Sequence, residues 1–363
     1  MNMDGGTETL RSAGLAIVAT GVAITGLVLG SSFLIPLAIS ILLWNLLEAL
    51  IKLFERISIG SVHIPRSVAM VLGITVVVIT LYLVVSVLFG QADAIKEAWP
   101  RYVSRLEGMI GELSQWLGPV ASGKVSTLLQ EINLVRRIPT LLFSAQSFMV
   151  SLVLVIAYVG FLLGEERYLA PKVAAMSQSK EQAVKTAQLL NDISESIRRY
   201  IWMKTLVSLL TGSVSYAILR AIGVDFAETW AMLIFILNFI PTVGTILATL
   251  LVSLYGLLQL GDFKSFLILL TAVGLIQFFV GNVLQPRMSA KTLNLSQFVV
   301  ILSLFIWGAL WGVVGMFLAV PITAILMIVL ANFPSTRVVA AILSETGELR
   351  SAGDAAKADT PAP

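Results

Sequence analysis

The chain has 363 residues, of which 57% are hydrophobic and only 12% are charged, and its formal net charge is +3. An average soluble domain is about 25% charged, so this composition, with a mean hydropathy of +0.93, indicates an all-α polytopic membrane protein. The small positive charge favours a positive-inside topology over nucleic-acid binding. The lack of cysteine and the single histidine exclude disulfides, thiol nucleophiles and a Cys/His metal centre within one chain, and we expect no cofactor and no metal.

The first ninety residues are predicted to form three membrane spans. Residues 12–47 carry no charge and are too long for one span of about 20 residues. Gly30 and Pro36 interrupt them, so a tight turn is expected near this point. The predicted spans cover about 13–30, 33–52 and 67–90. The loop between the second and third spans is mainly basic, which predicts that it is cytoplasmic.

Residues 91–146 differ from the spans because charges of both signs return. Tyr102, Leu106 and Leu113 recur on one face of a predicted helix, and a second amphipathic helix is predicted at about 123–137. We expect these amphipathic helices to be extracytoplasmic. The pattern leaves open whether they lie in the membrane interface, pack against neighbouring protomers or form a soluble hairpin that covers the external face.

The fourth predicted span covers residues 143–164 and ends at the charged residues 165–167. A polar, cytoplasmic helix is predicted to follow at 168–204. The cations at its end are expected to extend to the membrane interface as snorkelling side chains. These cations are Arg198, Arg199 and Lys204.

The last third of the chain repeats one pattern twice: an apolar helix, a polar turn, and a long charge-free stretch that is interrupted in its middle. The two helices are predicted at 201–219 and 265–284, and the two interrupted stretches at 229–261 and 292–336. Each interrupted stretch is too long for one span and suits a re-entrant hairpin of two half-helices. The interrupting residues are Asn238, Pro241, Thr242 and Gly244 in the first stretch, and Gly312, Gly315 and Pro321 in the second.

Counting spans from a cytoplasmic N-terminus gives these two repeats opposite orientations. The loop with Arg287 and Lys291 is cytoplasmic only if 229–261 enters and leaves from the outside. The prediction is therefore about five to six full spans plus two re-entrant hairpins in an inverted repeat, as in many secondary transporters, with both termini cytoplasmic. The predicted segments are 1–90 (spans 1–3), 91–146 (external helices), 147–200 (span 4 and cytoplasmic helix), 201–335 (transport core) and 336–363 (a largely disordered cytoplasmic tail).

Three sequence strings in this order are similar to one family. They are NFIPTVG at 238–244, GNVLQPR at 281–287, and the stretch from Trp307 to Pro321 that contains GVVGMFLAVP. The chain resembles the autoinducer-2 exporter (PerM-like permease) family of bacterial inner-membrane transporters. The resemblance implies a multi-pass protein of the bacterial inner (plasma) membrane that is a homo-oligomer, with a pentamer expected, and that moves its substrate by an elevator-like cycle. It leaves both a small polar solute, such as autoinducer-2, and a monovalent cation open as substrates.

Candidate binding residues lie at the interruption of the first hairpin. The Asn238 amide offers donors and an acceptor, Thr242 and Thr245 add hydroxyls, and Pro241 frees a carbonyl upstream. Such a tip can coordinate a small polar solute or a dehydrated cation. The alternative interpretation is that the Asn and Thr side chains only cap a half-helix.

Further candidates follow on the next helix and at the second hairpin. Gln277, Asn282 and Gln285 form a polar seam that lines a binding site or holds helices together. Arg287 binds an anionic group or reflects only the positive-inside rule. At the second hairpin, Gly315 and Pro321 are candidates for ligand contact, with close backbone packing as the alternative. Gly315 and Pro321 both belong to the string from Trp307 to Pro321.

These observations predict a secondary transporter or exporter of a small polar solute such as autoinducer-2, with an alternating-access, elevator-like mechanism. The alternatives are a sodium (lithium)/proton antiporter and an oligomeric channel-like facilitator. No Ser–His pair, paired aspartates or HExxH motif lies in the predicted spans, so we expect no enzymatic activity. A proton antiporter also needs a titratable group in the path. The candidate carboxylates, none clearly at mid-membrane, are Glu48, Asp225, Glu228 and Asp262.

Overall fold

The computed structural model describes residues 4–59, 62–91, most of 93–109, 145–177, 179–289 and 293–347. These residues are helical apart from turns, short connections and a minimal antiparallel ladder between β1 (Ser58–Ile59) and β2 (Val62–His63). Within these ranges, 6 helices are long and apolar enough to cross a membrane. The predicted class, an all-α polytopic membrane protein, is confirmed.

The helices are α1 (Asp4–Leu29), α2 (Ser31–Glu55), α3 (Arg66–Gly90), α4 (Ala145–Met176), α5 (Lys180–Ile222), α6 (Ala227–Leu237), α7 (Val243–Leu260), α8 (Phe263–Phe279), a π-helical turn (Val280–Leu284), α9 (Gln285–Ser289), α10 (Gln297–Ala331) and α11 (Arg337–Leu343). The predicted turn between the first two spans is present at Gly30. Pro36 lies inside α2, so only the glycine marks the boundary.

Helices α4 and α5 correct two predicted boundaries. The charged residues 165–167 do not end a helix, because α4 continues to Met176. From Lys180 onward, the polar segment and the predicted span at 201–219 form one continuous helix, α5, which is 43 residues long. A change from polar to apolar sequence alters the surroundings of a helix, but it does not interrupt its backbone hydrogen bonds. No proline lies between Lys180 and Ile222, so nothing in this segment breaks the helix.

The chain divides into two compact units. Unit 1 contains the described residues within 1–44, 151–193 and 294–363, and unit 2 contains those within 45–150 and 194–293. In unit 1, the Trp311 indole N–H donates to the Leu27 carbonyl at 2.9 Å, and Leu295 pairs with Ser344 in an isolated bridge. These two units do not test the predicted division of the chain into five consecutive segments, which stays a prediction.

The core of unit 2 lies among α5, α6, α7 and α8. Fully buried apolar side chains from all four helices meet the same interior. They are Val207, Leu219, Ile234, Val252 and Leu269. Asp262 begins α8 as its N-cap, because its carboxylate accepts from the Ser265 amide at 2.7 Å. The hydrogen bonds from Ser265 lower the pKa of Asp262.

The described residues between 93 and 109 are helical and pack on unit 2 itself. Tyr102 is buried, its hydroxyl donates to Asp225 Oδ2 at 3.2 Å, and it accepts from the Tyr255 hydroxyl at 3.0 Å. Burial raises the pKa of the Tyr102 phenol. This part of the predicted amphipathic face therefore contacts its own chain. Leu106, Leu113 and the helix predicted at 123–137 lie outside the described residues.

Candidate functional site

The first interrupted stretch is a helical hairpin in unit 2. Its first arm, α6, ends at Leu237, and its second arm, α7, begins at Val243. A Cβ atom on Gly244 would lie 1.8 Å from the Leu237 carbonyl oxygen. The two arms therefore meet backbone to backbone at this position, which only glycine allows. We refer to residues 227–260 as the first hairpin.

The tip of the first hairpin contains a strained turn. Thr242 has φ 60° and ψ −59°, and the Val243 amide donates to the Pro241 carbonyl, which is the pattern of a γ-turn with positive φ. Such a conformation costs about 1–3 kcal/mol for a residue other than glycine. The Thr242 side chain is exposed, whereas Thr245 donates to the Thr242 carbonyl at 2.8 Å, as in the capping interpretation.

Asn238 lies at the end of α6 and is only 2% exposed. Its side-chain N–H donates to Ser208 Oγ at 3.1 Å, and its backbone carbonyl accepts from Lys204 Nζ at 3.4 Å. The predicted candidate is thus directed into the interior of unit 2, toward α5. Its amide is used in a side-chain contact and not in capping its own helix.

Lys204 corrects the prediction of a snorkelling cation. It is 2% exposed, and its Nζ also donates to Gln285 Oε1 at 3.3 Å. Among the residues that the structure describes, no carboxylate lies within 4.0 Å of Nζ. The lysine faces the hairpin because α5 continues through this position as one helix. Arg199, by contrast, is exposed and pairs with Glu195 at 2.7 Å, and Arg198 is also bonded to Glu195.

The π-helical turn Val280–Leu284 changes which residues of the predicted polar seam share a helix face. A π turn accommodates one extra residue, so Gln277 and Gln285, eight apart, behave like residues seven apart in a regular α-helix. Residues seven apart share a face. The turn therefore aligns these two amides. Asn282 is exposed, and its side-chain N–H donates to the Phe278 carbonyl at 3.0 Å. It therefore does not belong to the polar seam.

Gln277 is buried, at 7% exposure, and neither its Oε1 nor its Nε2 has a hydrogen-bond partner within the described ranges. The hydroxyls of Thr205 and Ser215 on α5 are buried in the same way. Buried side-chain polar groups in native proteins are nearly always hydrogen-bonded. These unpaired groups in unit 2 therefore mark positions where a bound polar molecule or water would find partners.

The second interrupted stretch lies in unit 1 and also folds back. Trp311 and Gly312 depart from helical geometry within α10, and the Trp307 indole N–H reaches Thr323 Oγ1 at 3.2 Å. In a straight helix those residues would be about 24 Å apart along the axis. A Cβ atom on Gly315 would lie 1.9 Å from the Trp307 carbonyl oxygen. We refer to residues 297–331 as the second hairpin.

The predicted role of Pro321 as an interruption is wrong. Pro321 is fully buried inside the second arm of α10, and the chain reverses at Trp311–Gly312. Gly312, with φ 62°, supplies the backbone conformation that the reversal requires. A proline that lacks an N–H need not break a helix whose surroundings hold it in place.

The predicted site residues therefore fall into separate groups. Unit 2 joins Asn238 and Gln285 through Lys204 and Ser208, two residues that the sequence pattern did not predict as binding residues. We refer to these four residues as the polar cluster. Arg287 is exposed in the same unit, Lys291 lies outside the described residues, and Gly315 and Pro321 belong to unit 1.

Glu48, the candidate carboxylate in the second span, is buried and pairs with Arg66 at 2.9 Å. The Arg66 side chain itself is largely exposed. Asp225 and Glu228 accept bonds from Tyr102 and Gln91 at 3.2 and 3.3 Å. Each of these three carboxylates thus already has a partner in the fold, and none of them belongs to the polar cluster.

Comparison with known proteins gives extended matches. A sequence model of the AI-2E family transporter matches residues 15–335. The AI-2 transport protein TqsA of Escherichia coli strain K12 is 29% identical over 328 residues, 89% of this chain and 93% of TqsA. A putative transport protein of Haemophilus influenzae is 27% identical over 348 residues, 93% of this chain and 97% of that protein. Another, from Borreliella burgdorferi, is 34% identical over 186 residues, 51% of each chain.

Proposed function

The chain belongs to the AI-2E family of membrane transporters, and on that premise we propose that it is a secondary transporter of a small polar solute. Autoinducer-2 is the leading candidate, because it appears in the name of the relative TqsA. The proposed mechanism is alternating access with an elevator-like cycle, in a homo-oligomer that the family resemblance suggests is a pentamer. The proposed location is the bacterial inner membrane, with both termini in the cytoplasm.

The observation that carries the proposal is the polar cluster behind the first hairpin. Packing of two helices in a membrane protein does not require a buried ammonium and two amides. An ionisable residue inside a transmembrane bundle is by default a functional candidate. Lys204, Asn238 and Gln285 come from three different helical segments. They meet at the point where the hairpin interrupts its helix, and interrupted helices are where transporters place their substrate sites.

A structural role for the same residues is the competing interpretation. A lysine near the last turn of a helix can bond the terminal carbonyl and complement the helix dipole, and Lys204 does contact the Asn238 carbonyl. That role accounts for one bond. It does not account for the contact with Gln285.

A sodium (lithium)/proton antiporter is the second candidate, and one observation favours it. Two oxygen atoms, the Asn238 carbonyl and Gln285 Oε1, already converge on one monovalent cation, the Lys204 ammonium. A metal cation would take this position only after the lysine lost its proton or moved away. An oligomeric channel-like facilitator predicts instead that the hairpin keeps one exposure throughout.

The proposal is tested with purified protein in proteoliposomes. Uptake of autoinducer-2, sodium and lithium is measured separately for the wild type, for Asn238→Leu and for Asn332→Leu. Asn332 is the matched control, because it is exposed and bonds only within its own helix, to the Ile328 carbonyl at 2.8 Å. We expect autoinducer-2 uptake to fall about tenfold in Asn238→Leu, which corresponds to about 1.4 kcal/mol, and to stay within about twofold in the control.

Wild-type proteoliposomes that take up sodium or lithium but no autoinducer-2 would favour the antiporter. Equal uptake of autoinducer-2 by both asparagine variants would contradict the assignment of Asn238 to the solute path. Folded yield and melting temperature of each variant, measured in the same detergent, separate lost transport from lost structure.

A further inference from the structure

The Lys204 ammonium is a buried charge for which the described part of the fold supplies no counter-charge. Its two hydrogen bonds, at 3.4 Å to the Asn238 carbonyl and 3.3 Å to Gln285 Oε1, go to neutral oxygens. Both distances lie beyond the 2.7–3.2 Å range that is usual for N–H···O bonds. An ammonium group has three N–H donors and no acceptor, so two long bonds leave it poorly satisfied.

Two buried or half-buried acidic residues of unit 2 are bonded to arginines. Glu195, two and a half helical turns before Lys204 on α5, bonds to Arg198 and Arg199. Glu48 bonds to Arg66. The end of α6 contributes only the partial negative charge of a helix C-terminus, about half an elementary charge. The polar cluster therefore retains a net positive charge.

Buried charges in proteins are stable when they are paired, and none of the described residues supplies an opposite charge to Lys204. We propose that Lys204, with Asn238 and Gln285, binds a negatively charged oxygen of the transported solute, so that the substrate class is a small polar anion. A carboxylate or a phosphate ester presents the same anionic oxygen to the ammonium. The inference rests on the proposed function, and it specifies the chemistry of that same site.

The charge also sets the selectivity of the site. A protonated Lys204 repels sodium and lithium from the oxygens that would otherwise coordinate them. Asn238 and Gln285, which both bond to the ammonium, carry side-chain amides whose neutral donors and acceptors suit the hydroxyl groups of an organic anion. An oxygen-rich organic anion fits this combination of one fixed charge and neutral amides.

Ligand-induced stabilisation of the full chain in detergent tests the proposal. The probes are sodium acetate, lactate, phosphate and sulfate, each titrated at constant ionic strength against a sodium chloride background. The variants are the wild type, Lys204→Met and Lys264→Met. Lys264 is the matched control, because it is an exposed lysine of the same unit. A ligand that binds only the folded state raises its melting temperature.

We expect at least one probe to raise the melting temperature of the wild type and of Lys264→Met with a saturable dose response. In Lys204→Met the apparent affinity should fall by about tenfold or more. Equal shifts in the wild type and Lys204→Met would overturn the proposal, as would the absence of a shift with all four anions. Saturable stabilisation by lithium chloride over sodium chloride, with none by the anions, would assign the site to a cation and also overturn it.

Gln285→Glu gives a second and independent readout with an almost isosteric side chain. It places a carboxylate where the Gln285 amide oxygen now accepts from Lys204, so the ammonium acquires an internal counter-ion. We expect this variant to fold and to lose anion-dependent stabilisation. A Gln285→Glu protein that responds to the anions like the wild type would contradict the proposal even if Lys204→Met fails to fold.

The same variants separate this inference from the proposed function. If the wild type carries no solute in proteoliposomes but the anion response depends on Lys204, the transporter proposal fails and the anion site stands. If autoinducer-2 is carried at equal rates by the wild type, Lys204→Met and Gln285→Glu, the transporter proposal stands and the anion site fails.

Discussion

The two hairpins use the same backbone device with different side chains. In the first, a Cβ on Gly244 would lie 1.8 Å from the Leu237 carbonyl oxygen, and in the second, a Cβ on Gly315 would lie 1.9 Å from that of Trp307. Behind the first tip lie an ammonium and amides. At the second, the neighbouring polar contact joins an indole to a threonine hydroxyl.

The comparison distinguishes the residues that form the hairpin turn from the residues that form a candidate binding site. Glycine against a carbonyl forms the close turn in both cases, so it is architecture that both halves of the repeat need. A buried ammonium bonded to Asn238 and Gln285 lies behind the first hairpin, and the described residues form no comparable cluster at the second. We therefore expect substitutions of the shared glycines to act alike, and substitutions of the polar residues to act differently in the two hairpins.

The largest expected effect comes from Gly244→Ala and Gly315→Ala. Each added methyl would lie under 2 Å from a backbone oxygen, so the arms must separate, and we expect each variant to lose about 3 kcal/mol or more of stability. Melting temperature in detergent measures it.

Gly281→Ala is the control for this pair, because nothing lies within 4 Å of its added Cβ. We expect no loss, and a gain of up to about 1 kcal/mol from the higher helix propensity of alanine. If Gly315→Ala melted like the control, the second hairpin would not be closed as tightly as the first.

The interruptions themselves were predictable from the sequence, and the side-chain environment was not. Pro241 and Gly244 mark the first tip, and Gly312 the second, because proline and glycine have strong local effects on the backbone. Pro321 gave the wrong signal, because a buried proline inside a packed arm looks the same in sequence as one at a break. The π turn at Val280–Leu284 has no comparable sequence mark.

A second test exchanges the turn residues of the two hairpins. Gly312 has φ 62° and ψ −144°, close to a region that only glycine populates, so Gly312→Thr should cost about 2 kcal/mol. Thr242 has a positive φ with a side chain, so Thr242→Gly should stabilise by about 0.5 kcal/mol, the strain released less the entropy that glycine loses. Thermal melts that showed both exchanges destabilising would mean that the Thr242 side chain itself supports the turn.

Two polar substitutions should change the stability with opposite signs in the two units. Gln277→Leu removes a buried amide without partners, so we expect about 1 kcal/mol of stabilisation together with reduced solute uptake. Trp307→Phe leaves Thr323 without its indole donor and should lose about 1 kcal/mol. Unchanged uptake in Gln277→Leu would remove this glutamine from the solute path.

Lys204 shows why the candidate site could be predicted only in part. The residue types at Asn238 and Gln285 stand out because amides are unusual in an apolar helix. A lysine close to other cations is ordinarily a snorkelling residue, and only the register of the 43-residue helix α5 decides that its side chain points inward. That register is fixed by contacts such as those of Gly212 and Ser208 with α6 and its end, which the local sequence does not encode.

The most direct test of the central claim, that the first hairpin is the solute-bearing element, uses the lack of native cysteine. Single cysteines are placed at Thr242 and at Val313, both exposed beside a tip, with Lys264→Cys, exposed at the start of α8, as the control. Each is labelled with an impermeant thiol reagent from either side of the membrane, with and without autoinducer-2. We predict that Thr242→Cys reacts from both sides and that the solute shifts the balance, while Val313→Cys does not respond to it. One-sided labelling of Thr242→Cys under every condition, with a reactive Lys264→Cys control, would contradict the account.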